Sequence, residues 1–127
     1  MLYNDLVRDC FFYPRHVGCL DLSIPCTVLA SAQCSSSRVR IVLSMRCNVQ
    51  QEVESMQFKT NGNPYQIALL ELLCRSSIGK KINQLNTDLK SFVDQLSAPF
   101  QVLPGLYTVQ NTYLELIQLM NKQWEAV

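Results

Sequence analysis

Apolar and polar positions alternate most cleanly over residues 39–46, where Val39, Ile41, Leu43 and Met45 fall on one face and Arg40, Val42, Ser44 and Arg46 on the other. A period of two predicts a half-buried strand. Upstream, residues 26–33 place Cys26, Val28, Ala30 and Ala32 on one face, and the polar loop from Cys34 to Arg38 follows. Downstream, residues 52–60 place Glu54, Met56 and Phe58 on one face. Three such segments in succession predict an antiparallel meander with one face covered.

Outside this region the period becomes helical. Leu2, Leu6 and Cys10 recur at helix spacing within 2–12, Pro14 stops the helix, and Gly18 and Pro25 mark an extended connection. Asn61-Gly62 ends the third strand and Asn63-Pro64 opens a helix running to about residue 76, because Asn accepts an orphan N–H and Pro fits the first turn. Ile67, Leu70, Leu73 and Cys74 face inward, and Gly79 marks the stop. A second helix is expected over 81–96, with Ile82, Leu85, Leu89, Phe92, Val93 and Leu96 in one stripe. A third, over 112–124, aligns Tyr113, Leu116, Ile117, Met120 and Trp124, with Thr112 and Glu115 spaced as a capping box. Residues 97–110, with Pro99, Pro104 and Gly105, read as a connection. The predicted class is α+β: an N-terminal helix, a three-stranded antiparallel meander, and helices covering one sheet face. No repeat or linker divides residues 1–127, which read as a single domain.

Composition narrows the function classes. With 127 residues, 48% hydrophobic, 17% charged and a net charge of +1, the chain is not disordered. It carries no excess of Lys and Arg for nucleic acid or an anionic membrane. Asn4, Asp5, Arg8 and Asp9 interrupt any signal-peptide core, and no run approaches the roughly 18 apolar residues of a membrane span. A cytoplasmic, reducing setting is expected, in which the cysteines at 10, 19, 26, 34, 47 and 74 remain thiols and mostly pack as small apolar groups. There is no Cys-x-x-Cys pair and His16 is the single histidine, so the structural zinc patterns are missing. Nothing resembles a nucleophile elbow or a phosphate loop, and Glu52 and Glu54 read as a solvated strand edge; the chain is not expected to be an enzyme. Cys34, in a polar loop between strands, is the thiol best placed to react or ligate. The helix start at Asn63 would stabilise an anion or thiolate approaching it.

The segment Tyr13-Pro14-Arg15-His16-Val17-Gly18, following an opening helix, resembles the Asn-Pro-Arg-Asn-Val-Gly segment of the iron–sulfur cluster assembly scaffold family: IscU, SufU and the N-terminal domain of NifU. Phe58-Lys59-Thr60-Asn61-Gly62 resembles that family's Phe-Lys-Thr-Tyr-Gly-Cys, and Leu103-Pro104 resembles its chaperone-read Leu-Pro-Pro-Val-Lys-Ile-His-Cys. The order of elements agrees over nearly the whole chain. The resemblance implies a tip site for zinc or an iron–sulfur cluster, made of cysteines, an aspartate and a histidine, and partners such as a cysteine desulfurase or a chaperone.

On this chain Cys34 stands near the first cysteine, Ser36 or Ser37 at the aspartate, and Asn63 at the second cysteine; Val109 and Gln110 stand at the histidine and third cysteine, and Tyr107 where the family carries lysine. Only Cys34 keeps a ligand. The resemblance therefore implies a divergent, scaffold-like protein with a degenerate metal site that acts through partner binding. The alternatives are a sulfur-accepting accessory protein using Cys34, or an interaction module with an unrelated role.

Overall fold

The computed structural model describes residues 3–34 and 38–125. Asn4 caps the first helix, α1 (Asp5–Phe12), by accepting the Val7 N–H at 2.9 Å. The helix buries Val7 and Cys10, while Leu6 is only partly covered and Leu2 lies outside the described residues.

The sheet is a meander of order β1-β2-β3, with β1 (Thr27–Gln33), β2 (Arg40–Cys47) and β3 (Val53–Thr60) antiparallel. On its covered face Leu43 lies between Ala30 and Phe58, and Met45 between Val28 and Met56, all buried. Glu54 does not share that face, contrary to the expected alternation. The register slips after Arg46↔Ser55 to Cys47↔Val53, so Glu54 is an extra, exposed residue and Val53 takes the buried position. Cys26 precedes the strand, with φ +62.

The connection after α1 is tied to the sheet. His16 O accepts the Phe58 N–H at 2.9 Å and Gly18 N–H donates to Phe58 O at 2.8 Å, so Val17 bridges Phe58 in parallel along β3. The chain then crosses the outer face, where Leu20 N–H donates to Ser44 Oγ at 3.1 Å. That crossing buries Ser44 completely although the alternation assigns it to solvent.

Three helices, α2 (Pro64–Ser77), α3 (Lys90–Leu96) and α4 (Leu103–Glu125), complete the α+β fold. Two helices differ from expectation. The stripe over 81–96 is buried at Ile82, Leu85, Leu89, Phe92 and Leu96, yet only Ile82–Gln84 (a 3-10 turn) and α3 are helical. Between them Asn86 Oδ1 accepts the Asp88 N–H and Asp88 Oδ1 the Lys90 N–H, and these side chains replace helical backbone bonds.

The last helix begins at Leu103 and absorbs most of the expected 97–110 connection. Pro104 sits in its first turn, where the missing N–H costs nothing. Thr112 is no cap: it is buried in the helix interior and its hydroxyl donates to Thr108 O at 2.8 Å. From α4, Leu106, Val109, Tyr113, Leu116 and Met120 enter the core, and the Tyr113 and Ser77 hydroxyls hydrogen-bond at 3.0 Å.

Candidate functional site

One end of the sheet gathers the end of β1, the starts of β2, α2 and α4, and the end of β3. Asn61 binds the β2 start on both sides, accepting the Arg40 N–H at 2.8 Å and donating to Arg38 O at 3.0 Å, while the Thr60 hydroxyl donates to Arg40 O at 2.7 Å. The Phe58–Gly62 segment is thereby locked to the hairpin. Asn63 then opens α2 with a full capping box: its side chain accepts the Gln66 N–H at 2.9 Å, and Gln66 Oε1 accepts the Asn63 N–H at 3.0 Å.

Gln66 also reaches α4, donating from Nε2 to Gly105 O at 3.2 Å. It lies between two glycines, and a Cβ on Gly105 would come within 2.7 Å of Nε2, while one on Gly62 would collide with Oε1. One buried amide thus joins the start of α2 to the start of α4.

Cys34 directly follows β1 at this tip, half-buried, with its thiol donating to Thr108 Oγ1 at 3.6 Å; Thr108 in turn donates to Pro104 O at 3.3 Å. The residue of α4 that meets Cys34 is therefore Thr108. Val109 is fully buried in the core, Gln110 lines a cavity of about 520 Å³ between α3 and α4, and Tyr107 is exposed beside it. Ser36 and Ser37 lie outside the described residues. Around Cys34 the structure thus shows a hydroxyl from α4, and the Asn63 side-chain oxygen is engaged in capping. Among the described residues no three His, Cys, Asp or Glu side chains converge to hold a metal ion. Iron–sulfur clusters are held by thiolates, normally four, and zinc takes four N, S or O donors, so the described donors do not fit a bound cluster or zinc.

A second cluster, unseen in the sequence reading, fixes the strap that leads to the sheet. Glu71, mid-way along α2 and fully buried, accepts four hydrogen bonds. Its Oε1 takes the Arg15 and His16 N–H groups at 2.8 and 3.0 Å, and its Oε2 takes His16 Nδ1–H and Arg75 Nε–H, each at 2.7 Å. Arg75 continues to Asp9 Oδ2 at 2.6 Å and Tyr13 O at 3.2 Å.

Burial pushes the Glu71 carboxyl up, but the hydrogen bonds from His16, Arg75 and the Arg15 backbone outweigh it and hold it below its ordinary value. Burial likewise disfavours the Arg75 charge, and the bonds to Asp9 and Glu71 reverse this. The Arg75 hydrogen bond lowers Asp9. The signal available in the sequence was an acid amid Leu69, Leu70, Leu72 and Leu73, four residues before an arginine. Among the described residues no helix is long and apolar enough to cross a membrane.

A family model described as the NifU-like N terminal domain matches residues 2–106. Among solved structures the chain resembles a putative iron–sulfur cluster assembly scaffold protein for the SUF system from the thermophile Fervidobacterium islandicum AW-1, at 16% identity over 91% of this chain and 87% of that one, with a TM-score of 0.59. It also resembles the N-terminal part of a nitrogen-fixing NifU-like protein from Brucella abortus, at 12% identity over 97% and 94%, with a TM-score of 0.63. A protein described only as hypothetical is similar at 19% identity over 89% and 94%, with a TM-score of 0.62. These likenesses show a shared fold. No curated protein matches the sequence.

Proposed function

The chain belongs to the NifU-like N-terminal domain family, and on that premise we propose that residues 1–127 act as one scaffold-like domain in iron–sulfur cluster assembly, working through partner binding. The observation that carries this reading is the contrast at the tip. The framework is fully bonded, from Asn61 on the hairpin to Gln66 on Gly105, while Cys34 meets a threonine hydroxyl where a cluster would need further thiolates. A neutral hydroxyl or amide does not replace a thiolate. At this tip the protein therefore offers a surface and one thiol, and it performs no turnover of its own. Its partners are a cysteine desulfurase or a chaperone of the assembly system, and its setting is the cytoplasm.

Cys34, half-buried at the tip, also supports a second reading in which it accepts sulfur. Its thiolate would attack the outer sulfur of a desulfurase persulfide, forming a Cys34 persulfide and releasing the desulfurase thiolate. Anaerobic mixing with a cysteine desulfurase, followed by size-exclusion chromatography and persulfide labelling, tests both. Partner binding predicts a complex that survives Cys34→Ser, and sulfur acceptance predicts a label that the same substitution abolishes. If the desulfurase does not co-migrate with the protein, and a chaperone of the assembly system mixed with it in the same way does not either, the partner-binding reading is wrong.

A further inference from the structure

Cys26 and Cys47 are joined through their backbones at the base of the β1–β2 hairpin, at the opposite end from Cys34. The register runs unbroken from Gln33↔Arg40 to Thr27↔Arg46. One step further sets Cys26 against Cys47, and the Cys47 N–H donates to Cys26 O at 3.0 Å, continuing the ladder. Opposed residues of an antiparallel pair lie about 4.5–5.5 Å apart at Cα. A disulfide spans about 4.4–6.8 Å between Cα atoms.

Cys47 is buried on the core face; burial pushes its thiol up to about 11, and Cys26 adds to that rise. Cys26 is half-buried and holds φ +62, a left-handed conformation that residues with a Cβ avoid. Such backbone conformations persist only where surrounding structure imposes them, and they gather at functional positions. Cys10 and Cys74 are sealed in the core, and Cys19 lies exposed in the connection.

We propose that Cys26 and Cys47 are a reversible redox pair, which closes under oxidation into a disulfide that staples the base of the hairpin whose tip carries Cys34. The oxidant is a low-molecular-weight disulfide such as oxidised glutathione. The more accessible Cys26 reacts first: its thiolate attacks one sulfur of the oxidant, forming a mixed disulfide and expelling one thiolate, which takes up the proton Cys26 lost. Cys47 then attacks the Cys26 sulfur and expels the second thiolate, which takes up the proton Cys47 lost. Two protein thiols are oxidised and one external disulfide is reduced to two thiols. The new bond closes the 26–47 loop and restricts the unfolded chain, so the oxidised form resists heat better.

The full chain, incubated with oxidised glutathione, alkylated without reductant and mapped by mass spectrometry, tests this. The expected result is a Cys26–Cys47 linked peptide lighter by two hydrogens, reversed by dithiothreitol and accompanied by a higher melting temperature. Cys47→Ser should retain a glutathione adduct on Cys26, and Cys26→Ser should leave Cys47 unmodified. Recovery of both residues in alkylated form, or linkage of Cys26 to Cys19 or to a second chain, would overturn the proposal; the wild-type map alone decides this if either variant fails to fold.

Discussion

Replacing Glu71 with Gln keeps the side-chain volume and changes only what each terminal atom can do. The carboxylate accepts four hydrogen bonds from the Arg15 and His16 backbones, the His16 ring and Arg75. An amide keeps one accepting atom for the two backbone N–H groups, and its NH2 can donate to the His16 ring in the other tautomer, but it meets Arg75 Nε–H donor to donor, so that bond is lost and Arg75 keeps only Asp9 as a charge partner. Hydrogen bonds to charged groups contribute about 1.5–3 kcal/mol each, and breaking a buried pair costs about 3–5 kcal/mol. A loss of about 3–4 kcal/mol follows, and for a chain of this length that lowers the melting temperature by about 10–15 °C.

Urea unfolding followed by circular dichroism measures the loss, and amide exchange at Arg15 and His16 should quicken in parallel. The effect also depends on pH. The folded carboxyl lies below its ordinary 4.5, so its stabilisation is complete above that value and disappears as pH falls through the lower, folded value. The gap between wild type and Glu71→Gln must therefore narrow in acid. A loss under about 1 kcal/mol at neutral pH, or a gap independent of pH, would refute the view that Glu71 pins the strap.

Asn63→Ala removes the side-chain half of the capping box, leaving the backbone N–H of residue 63 on Gln66 Oε1, and should cost about 1 kcal/mol in denaturant unfolding, whereas Asn63→Asp should cost little. Gly105→Ala places a Cβ 2.7 Å from Gln66 Nε2 and should destabilise by about 1–3 kcal/mol in the same assay, more than alanine costs at an open position. Tyr113→Phe and Ser77→Ala each orphan the other's buried hydroxyl; the double variant should lose about 1 kcal/mol less than the sum of the singles, read from a double-mutant cycle.

The sheet and α2 were legible in the sequence because their signals are local. Ile41, Leu43 and Met45 alternate with polar neighbours since one face of β2 is buried by helices, and Asn63-Pro64 carries its own cap. What escaped depends on tertiary partners. Pro104-Gly105 reads as a loop, yet Pro is harmless in a first turn and Gly105 is needed where Gln66 approaches. The Asn86 and Asp88 side chains broke a stripe whose apolar spacing is otherwise helical. Ser44 is buried by a strap that periodicity cannot see.

At the tip, counting along the chain assigned Val109 and Gln110 to ligand positions. In the fold, α4 turns Thr108 toward Cys34 and Val109 into the core. Glu71 has no local partner except Arg75, and its role appears only when residues 15 and 16 are brought to it.

The central claim is that this family member lacks the thiolates to hold a cluster by itself. Anaerobic reconstitution with ferrous iron and a sulfide source, followed by desalting, visible spectroscopy and iron and sulfide analysis, tests it directly. The account predicts a colourless protein without stoichiometric iron. A stable chromophore with about two irons per protomer, lost on Cys34→Ser, would contradict it.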